Sequence, residues 1–226
     1  MTAHLDTMAW PAVAAGAGER LLAIPMGATE QHGPHLPYTT DTEIAVALAD
    51  ALAANRPDVV VAPALPYGSS GEHAGFAGTL SIGNAALEHV VVELVRSADA
   101  FAGVVLVCAH GGNAKPLAAA TRVLANEGRR VLAWVPSGRA GDAHAGHTET
   151  SLLLALRPEA VALDRAAAGD TRPIEALLPL LRVGGVAAVS ANGVLGDPAG
   201  ASAQAGTELL GALAAELIEA VERWSS

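Results

Sequence analysis

The chain runs Pro25-Met-Gly-Ala-Thr-Glu-Gln-His-Gly-Pro-His-Leu-Pro-Tyr-Thr-Thr-Asp41 between a short apolar segment and a helical pattern. Within this stretch, carboxylate and imidazole side chains recur at short spacing: Glu30, His32, His35 and Asp41. Such a mixture without a nearby thiolate suits a borderline or hard divalent metal ion. Two prolines fix φ and two glycines permit tight turns, so the loop is stiff. The stretch predicts a metal site; the alternative is a polar surface loop that happens to contain two histidines.

The segments around this loop predict the fold. Apolar runs indicate strands at 21–25, 59–62, 102–108 and 130–135. The run at 102–108 is continuous and rich in β-branched residues, which indicates a buried strand. Between and after them, apolar residues at helical spacing indicate helices at 44–52, 87–95, 114–126, 148–156 and 210–221. Strands that alternate with helices predict a single domain over residues 1–226, of the α/β class. We expect a three-layer α/β/α sandwich with a largely parallel sheet.

Local signals refine this prediction at several positions. Thr40 and Glu43 have the spacing of a capping box, which places Asp41 in the first turn of a helix. Exposed backbone N–H groups in that turn help to orient a carboxylate. Residues 164–185 contain Gly and Pro and are predicted to be irregular. We expect a short edge strand at 186–190 and disorder around His4.

Two further polar clusters lie where the same fold would place ligands. His110-Gly-Gly-Asn113 follows the predicted strand at 102–108. Asp142, His144, His147 and Glu149 precede an apolar helical segment. In an open α/β sheet, residues at the carboxyl ends of the strands face a shared crevice. The three clusters are therefore predicted to converge on one site.

These motifs carry a family resemblance. They include Thr29-Glu-Gln-His-Gly-Pro-His-Leu-Pro37, Asp41, the His110–Asn113 turn and His144-Ala-Gly-His-Thr-Glu-Thr-Ser151. Together they resemble the creatininase family of metal-dependent amidohydrolases. Gly71-Glu-His-Ala-Gly-Phe-Ala-Gly-Thr-Leu-Ser-Ile-Gly83 and Gly193-Val-Leu-Gly-Asp-Pro198 look most similar to the branch of peptidases in mycofactocin biosynthesis. The resemblance extends over nearly the whole chain and implies a creatininase-like fold.

The candidate ligands favour two metal ions over one. The carboxylates of Glu30, Asp41 and Glu149, with one hydroxide, balance two divalent cations, and a buried site must be near neutral. The resemblance implies that Glu30, Asp41 and His110 bind one ion and that His32 and Asp41 bind the other. Creatininases have a further ligand at the position of Gly112, so Glu149 or a water must replace it here. Zn, Mn and Fe(II) all accept this set of ligands.

Other residues are candidates for catalysis and substrate binding. His144 matches the family's catalytic histidine and is our candidate general acid/base; the alternative is a hydrogen-bonding role behind the ligands. Ser70, Gly71, Glu72 and His73 lie in a loop long enough to cover a substrate. The backbone at Gly111 and Gly112 can come close to the metals or to an oxyanion. His35 is expected to hydrogen-bond a ligand, and His147 to contact substrate or lie on the surface.

The resemblance implies a peptidase that removes a C-terminal Val-Tyr dipeptide from a small modified peptide, the mycofactocin precursor. One alternative is creatinine amidohydrolase or another hydrolase of small cyclic amides or formamides. Creatininases have a tryptophan four residues before the catalytic histidine, where this chain has Ala140. A second alternative is a non-catalytic metal-binding subunit, since Thr39 and Ala109 depart from the family pattern.

Composition limits the possible partners, location and oligomeric state of the protein. The formal net charge is −10 and no Lys/Arg cluster is present, so we expect no nucleic-acid partner. No apolar run has the length of a transmembrane helix and no signal peptide is visible, so we expect no membrane association and a cytoplasmic location. The lone Cys108 fits either a buried hydrophobic position or, less favourably, a Cys–His nucleophile pair with His110. The 51% hydrophobic fraction and the family habit of ring-like assemblies predict a homo-oligomer, a hexamer or octamer.

Overall fold

The computed structural model describes residues 2–136 and 142–226, so Ala140 lies outside the described residues. The strands are β1 (Ala3–His4), β2 (Leu21–Met26), β3 (Val59–Val61), β4 (Gly103–Cys108) and β5 (Val131–Trp134). The α-helices are α1 (Trp10–Ala14), α2 (Thr40–Asn55), α3 (Gly83–Ser97), α4 (Ala114–Asn126), α5 (His147–Leu156), α6 (Ile174–Gly184) and α7 (Ala203–Ser225). Short 3-10 helices include Gly71–His73, Gly111–Asn113 and Val186–Ala188.

The strands form one parallel sheet in the order β1-β3-β2-β4-β5. The two central strands, β2 and β4, pair along their whole length, from Leu21 opposite Gly103 to Met26 opposite Cys108. Parallel neighbours end at the same edge of a sheet, so the loops that follow β2 and β4 meet. This adjacency brings the first two polar clusters of the sequence together.

Side chains alternate between the two faces of the sheet with a period of two residues. In β2, Leu21 and Ala23 pack in a core cluster with residues of α2, α5 and α7. The intervening Leu22 and Ile24 pack in a second cluster with residues of α3 and α4. β4 alternates in the same way. Helices therefore cover both faces, and the predicted three-layer α/β/α sandwich is confirmed.

The start of α2 differs from the prediction. The N-cap residue is Thr39, and no side-chain capping bond is formed there. The hydroxyl of Thr40 instead donates to the carbonyl oxygen of Pro37 at 2.7 Å, and that of Thr39 donates to the side chain of Glu43. The predicted capping box is wrong because the Thr40 hydroxyl donates its hydrogen bond to the carbonyl oxygen of Pro37. Asp41 still lies in the first turn, as predicted.

Three other local predictions are wrong. His4 is not disordered but lies in β1, which pairs with β3 at the sheet edge. Residues 174–184 form α6, and residues 186–188 form a 3-10 helix rather than an edge strand. The reason is tertiary: Leu177 of α6 packs with Val186 and Leu195 in a small separate core, a contact that local sequence does not reveal.

Among residues 2–136 and 142–226, no helix combines the length and apolar character needed to cross a bilayer.

Helices α5 and α7 approach closely at Gly206. A Cβ atom at Gly206 would lie 1.8 Å from the carbonyl oxygen of Ser151, so any side chain would force the helices apart. Gly206→Ala should lower the free energy of unfolding by roughly 1–3 kcal/mol. Gly211, exposed on the same helix with nothing near its Cβ position, is the matched control. Gly211→Ala should raise the free energy of unfolding by roughly 0.5–1 kcal/mol in urea titrations. Equal effects at the two positions would contradict this packing.

Cys108 ends β4 with its side chain fully buried in the cluster beside α3 and α4. Burial raises the pKa of its thiol to about 11, and Sγ donates to the carbonyl oxygen of His110 at 3.3 Å. A buried neutral thiol is a poor nucleophile, which favours the hydrophobic role over the Cys–His pair.

We therefore expect native protein at pH 8 to react with iodoacetamide roughly 100-fold more slowly than the unfolded chain. Mass spectrometry of the labelled protein gives both rates. Labelling of the folded protein at the rate of the unfolded chain would contradict the burial of Cys108.

Candidate metal centre

The predicted ligands converge at the carboxyl edge of the sheet. Glu30 and His32 lie in the loop after β2, His110 follows β4, and Asp41 and Glu149 lie in the first turns of α2 and α5. Glu30, His32 and Asp41 are each about 1% exposed. Removing an ionised carboxylate from water costs free energy, and a positive charge nearby is needed to compensate that cost.

Glu30, Asp41 and His110 form the first group of potential ligands, with their ligand atoms within 4.8 Å of one another. His110 Nδ1 lies 3.1 Å from Asp41 Oδ2, and His110 Nε2 lies 3.4 Å from Glu30 Oε2. Nε2 also lies 3.0 Å from the carbonyl oxygen of Ser69, which can only accept, so the neutral ring carries its lone pair on Nδ1. Glu30 Oε2 and Asp41 Oδ2 are buried and have no hydrogen bond of acceptable geometry. Two orphaned carboxylate oxygens beside an imidazole lone pair fit a divalent cation.

The second group contains His32, His144 and Glu149, whose ligand atoms also lie within 4.8 Å of one another. His32 Nδ1 lies 3.1 Å from the carbonyl oxygen of Glu30, so the neutral ring carries its lone pair on Nε2. This Nε2 lies 3.1 Å from Asp41 Oδ1 and 3.8 Å from Glu149 Oε2. The two oxygens of Asp41 therefore face different histidines, Oδ1 towards His32 and Oδ2 towards His110. Asp41 joins the two groups.

Electrostatics shows how strongly this cluster requires positive charge. Burial, reinforced by Asp41, raises the pKa of Glu30 to about 8, and burial raises the pKa of Glu149 to about 6. Burial also acts to raise the pKa of Asp41, but the imidazoles of His32 and His110 outweigh it and hold the pKa below its usual range. Burial would lower the pKa values of both histidines, but Asp41 raises each to about 10. In the protein alone, the protonated imidazoles of His32 and His110 supply the positive charge that divalent ions would otherwise supply.

Gln31 organises the remaining histidines, a role that its place in the motif does not predict. Its Oε1 accepts from the backbone N–H of Gly33 at 2.8 Å, and its Nε2 donates to the carbonyl oxygen of Gly193 at 3.0 Å. These two bonds fix which end of the amide is the donor. The second N–H of that amide therefore donates to His73 Nδ1, at 2.9 Å.

This contact sets the tautomer of His73. Because Nδ1 accepts, the neutral ring carries its proton on Nε2, which lies 3.4 Å from Glu30 Oε1. Burial lowers the pKa of His73 to about 3, so the ring is neutral. His73 thus offers an N–H to the cluster, although its position beside Glu30 and His144 would also suit a ligand.

His144 has the opposite orientation. Its Nε2 lies 2.7 Å from the carbonyl oxygen of Gln31, an acceptor, so the neutral ring carries its lone pair on Nδ1. Nδ1 lies 3.7 Å from Glu30 Oε1 and 4.0 Å from Glu149 Oε2. Burial, followed by His32, lowers the pKa of His144 well below its usual value, so the ring is neutral. His144 presents a lone pair to the centre of the cluster.

The backbone around His144 holds Glu149 as well. His144 exchanges two backbone hydrogen bonds with Leu195, at 3.1 and 2.9 Å. The next residue, Ala145, has a positive φ of 52°, which is uncommon outside glycine. Its N–H donates to Glu149 Oε2 at 2.6 Å. Ala145, a residue in a strained backbone conformation, thus connects His144 to Glu149.

Gly112 explains why no ligand comes from its position. A Cβ atom there would lie 2.3 Å from the carbonyl oxygen of Ser69 and 2.4 Å from His110 Nε2. The backbone leaves no room for a side chain at this position. Glu149, from another segment, lies 3.8 Å from His32 Nε2.

A cavity of about 830 Å³ opens onto the cluster. Of the predicted substrate-binding residues, these line it: Gly71, Glu72, His73, Gly111 and Gly112. Ser70 is not among its lining residues; it is buried behind His110, with Oγ 3.4 Å from Nε2. Helix α6, which lies within the segment 164–185 predicted to be irregular, also lines the cavity, as do Gly185 and Val186.

Two other histidines of the sequence motifs lie outside the ligand groups. His35 Nε2 lies 2.9 Å from the hydroxyl of Thr150, so the predicted hydrogen bond to a ligand is replaced by one to the neighbour of Glu149. His147 begins α5 and is half-buried; it is not one of the residues that line the cavity.

The chain is similar to known proteins along most of its length. A family model for creatinine amidohydrolase matches residues 6–221. The chain is 49% identical over 212 residues to the mycofactocin precursor peptide peptidase of Mycolicibacterium smegmatis, covering 90% of this chain and 85% of the relative. A solved structure described as creatininase Mn superposes with a TM-score of 0.82 at 27% identity, covering 99% and 98% of the two chains.

A creatininase mutant described as the Zn-Zn type also superposes with a TM-score of 0.82, at 26% identity and with 99% and 98% coverage. The match of the family model and the identity to the mycobacterial relative extend over most of the chain. The chain belongs to the creatininase family.

Proposed function

We propose that this protein is a dinuclear metal-dependent amidohydrolase that cleaves a peptide bond. The observation that carries the proposal is the position of Asp41, whose two oxygens face nitrogens of two different imidazoles, His32 and His110. Orphaned buried oxygens on Glu30 and Asp41 support it. A surface loop or a non-catalytic scaffold gives no reason to bury these groups beside an open cavity.

Glu30, Asp41 and His110 would hold one ion, as their grouping suggests. His32, Asp41 and Glu149 would hold the other, since His32 Nε2 lies 3.1 Å from Asp41 Oδ1 and 3.8 Å from Glu149 Oε2. Zn, Mn and Fe(II) all accept these ligands. When bound, two such ions lower the pKa of a water molecule and stabilise negative charge on an amide oxygen. The family's solved structures of Zn-Zn and Mn forms support this choice of metals.

The protein's own groups handle the proton and orient the substrate. His144 Nδ1 takes a proton from the attacking water and delivers it to the leaving amine nitrogen. The bond from Nε2 to the Gln31 carbonyl holds the ring in the tautomer that this task requires. Gly111 and Gly112 line the cavity, and their backbone N–H groups would stabilise an amide oxygen. His73 donates its Nε2–H towards Glu30 and is a positioning residue.

We further propose that the substrate is the small modified mycofactocin precursor peptide, which loses a C-terminal Val-Tyr dipeptide. Identity of 49% to a protein named mycofactocin precursor peptide peptidase supports this substrate. A creatinine amidohydrolase of Pseudomonas putida is 32% identical over 66% of this chain. The alanine at position 140, where creatininases have a tryptophan, argues against creatinine as the substrate.

The metal content tests the proposed centre. Elemental analysis after mild purification should give close to two divalent ions per chain. Asp41→Asn should lose both ions, because a neutral amide cannot bridge them. Glu43→Gln, a matched change one half-turn later in α2 and outside both ligand groups, should keep them. Saturation at one ion per chain under excess metal would contradict the dinuclear assignment.

His144 and Glu149 should separate in their effects. His144→Ala should leave metal content and fold unchanged while slowing peptide cleavage by roughly 10²–10⁴-fold. Glu149→Ala should lose or loosen one ion, because Glu149 faces His32 and no side chain fits at Gly112. Metal analysis paired with a mass-spectrometric cleavage assay distinguishes the two. Loss of metal in His144→Ala with both ions kept in Glu149→Ala would reverse the assignments.

We also propose a closed homo-oligomer, a hexamer or octamer. Exposed apolar side chains include Trp10, Tyr67, Leu80 and Val183, which a subunit interface would cover. Static light scattering at micromolar concentration should give a multiple of the chain mass. A stable 22.6 kDa species would refute the oligomer.

A further inference from the structure

The carboxylate of Glu72 lies beside the metal centre without a protein partner. Glu72 belongs to the 3-10 helix Gly71–His73 and lines the cavity. Its side chain is half-buried, and within residues 2–136 and 142–226 it makes no hydrogen bond and no ion pair. Other acids of the chain, such as Glu127 and Asp170, pair with arginines. An unpaired carboxylate next to a candidate metal centre is suited to a role at that centre.

The position of Gly112 shows where this carboxylate points. A Cβ atom at Gly112 would lie 2.7 Å from Glu72 Oε1 and 2.4 Å from His110 Nε2. The carboxylate of Glu72 and the imidazole of His110 therefore approach the same point from two sides. Any side chain at Gly112 would occupy the space that Glu72 now takes, and creatininases have their further ligand at this position.

The main chain of Glu72 is held in place from both ends. Gly185, which has a positive φ of 66°, packs against it so closely that a Cβ atom there would lie 2.5 Å from the Glu72 carbonyl oxygen. The next residue, His73, is buried and accepts a hydrogen bond from Gln31 at 2.9 Å. The backbone thus fixes where the side chain of Glu72 starts, and the missing side chain at Gly112 leaves room for its carboxylate.

We propose that Glu72 takes over the task of the ligand that is missing at Gly112. It does so by accepting a hydrogen bond from a water molecule on the ion held by Glu30, Asp41 and His110. A water is needed because Glu72 is not in the groups whose ligand atoms lie within 4.8 Å of one another. This inference rests on the proposed metal centre, and it makes Glu72 a positioning residue for one ion.

The proposal divides the carboxylates between the two ions. Glu149 lies 3.8 Å from His32 Nε2 and serves the ion on that side, whereas Glu72 serves the ion beside His110. A carboxylate that orients a water on a metal ion raises the affinity for that ion, and loss of such a partner typically costs 10–100-fold in affinity. The two acids should therefore affect different ions.

The test is calorimetry of metal-free protein titrated with Zn²⁺, which needs no substrate. Glu72→Gln keeps the shape of the side chain and removes its charge, so it should weaken one of two Zn²⁺ ions by roughly 10–100-fold. Glu175→Gln is the control, an equal charge change at an exposed position of α6 that does not line the cavity. It should bind both ions as the wild type does.

Anomalous diffraction from Glu72→Gln crystals grown at limiting Zn²⁺ identifies the weakened ion. The peak beside His110 should lose occupancy relative to wild type, and the peak beside His32 should keep it. Wild-type affinity for both ions in Glu72→Gln, or a loss confined to the ion beside His32, would overturn the role of Glu72.

These readouts also separate this role from the proposed function. If wild-type protein cleaves no peptide while Glu72→Gln weakens the ion beside His110, the peptidase proposal fails and the role of Glu72 stands. If wild-type protein binds a single ion beside His110 and Glu72→Gln weakens it, only the dinuclear assignment fails. Wild-type protein that binds no Zn²⁺ would overturn both proposals.

Discussion

The rest of the structure depends on one constraint, the burial of carboxyl groups at the end of two adjacent strands. Glu30 and Asp41 are almost fully removed from water, and each has an oxygen without a hydrogen bond. Such groups destabilise a fold unless a cation compensates them. The imidazoles of His32 and His110 approach Asp41 from its two sides, with pKa values raised to about 10 by this carboxylate. A pair of divalent ions would satisfy the same charge with all the imidazoles neutral.

The fold meets this constraint by holding the charged side chains of the site in fixed positions. Full-length pairing of β2 with β4 fixes the loops that carry Glu30 and His110 at the same edge, and the first turn of α2 directs Asp41 between them. Gln31 then sets the two remaining rings in opposite tautomers, so that His144 offers a lone pair and His73 offers an N–H. The same amide contacts the Gly193 carbonyl and thereby joins the first motif of the sequence to the loop before α7. Stability and chemistry thus depend on the same buried contacts.

Much of this arrangement was predictable from the sequence, because apolar runs and polar clusters report directly on strands and on their ends. The sheet, its layers and the convergence of Glu30, His32, Asp41, His110, His144 and Glu149 follow from that pattern. The position of α6 did not follow, since Leu177 packs against Val186 and Leu195, which lie outside the helix. The role of Gln31 could not be predicted either, because it depends on hydrogen-bond partners that only the structure brings together. The same holds for Gly112, whose lack of a side chain matters only beside Ser69 and His110.

The most direct test of the metal centre is anomalous diffraction from crystals of the purified protein, recorded on both sides of the absorption edge of the metal that it retains. Two anomalous peaks should appear at the carboxyl edge of the sheet, one in contact with Asp41 Oδ1 and His32, the other with Asp41 Oδ2 and His110. A single peak, or two peaks of which neither contacts Asp41, would contradict the central claim that this buried carboxylate bridges two ions.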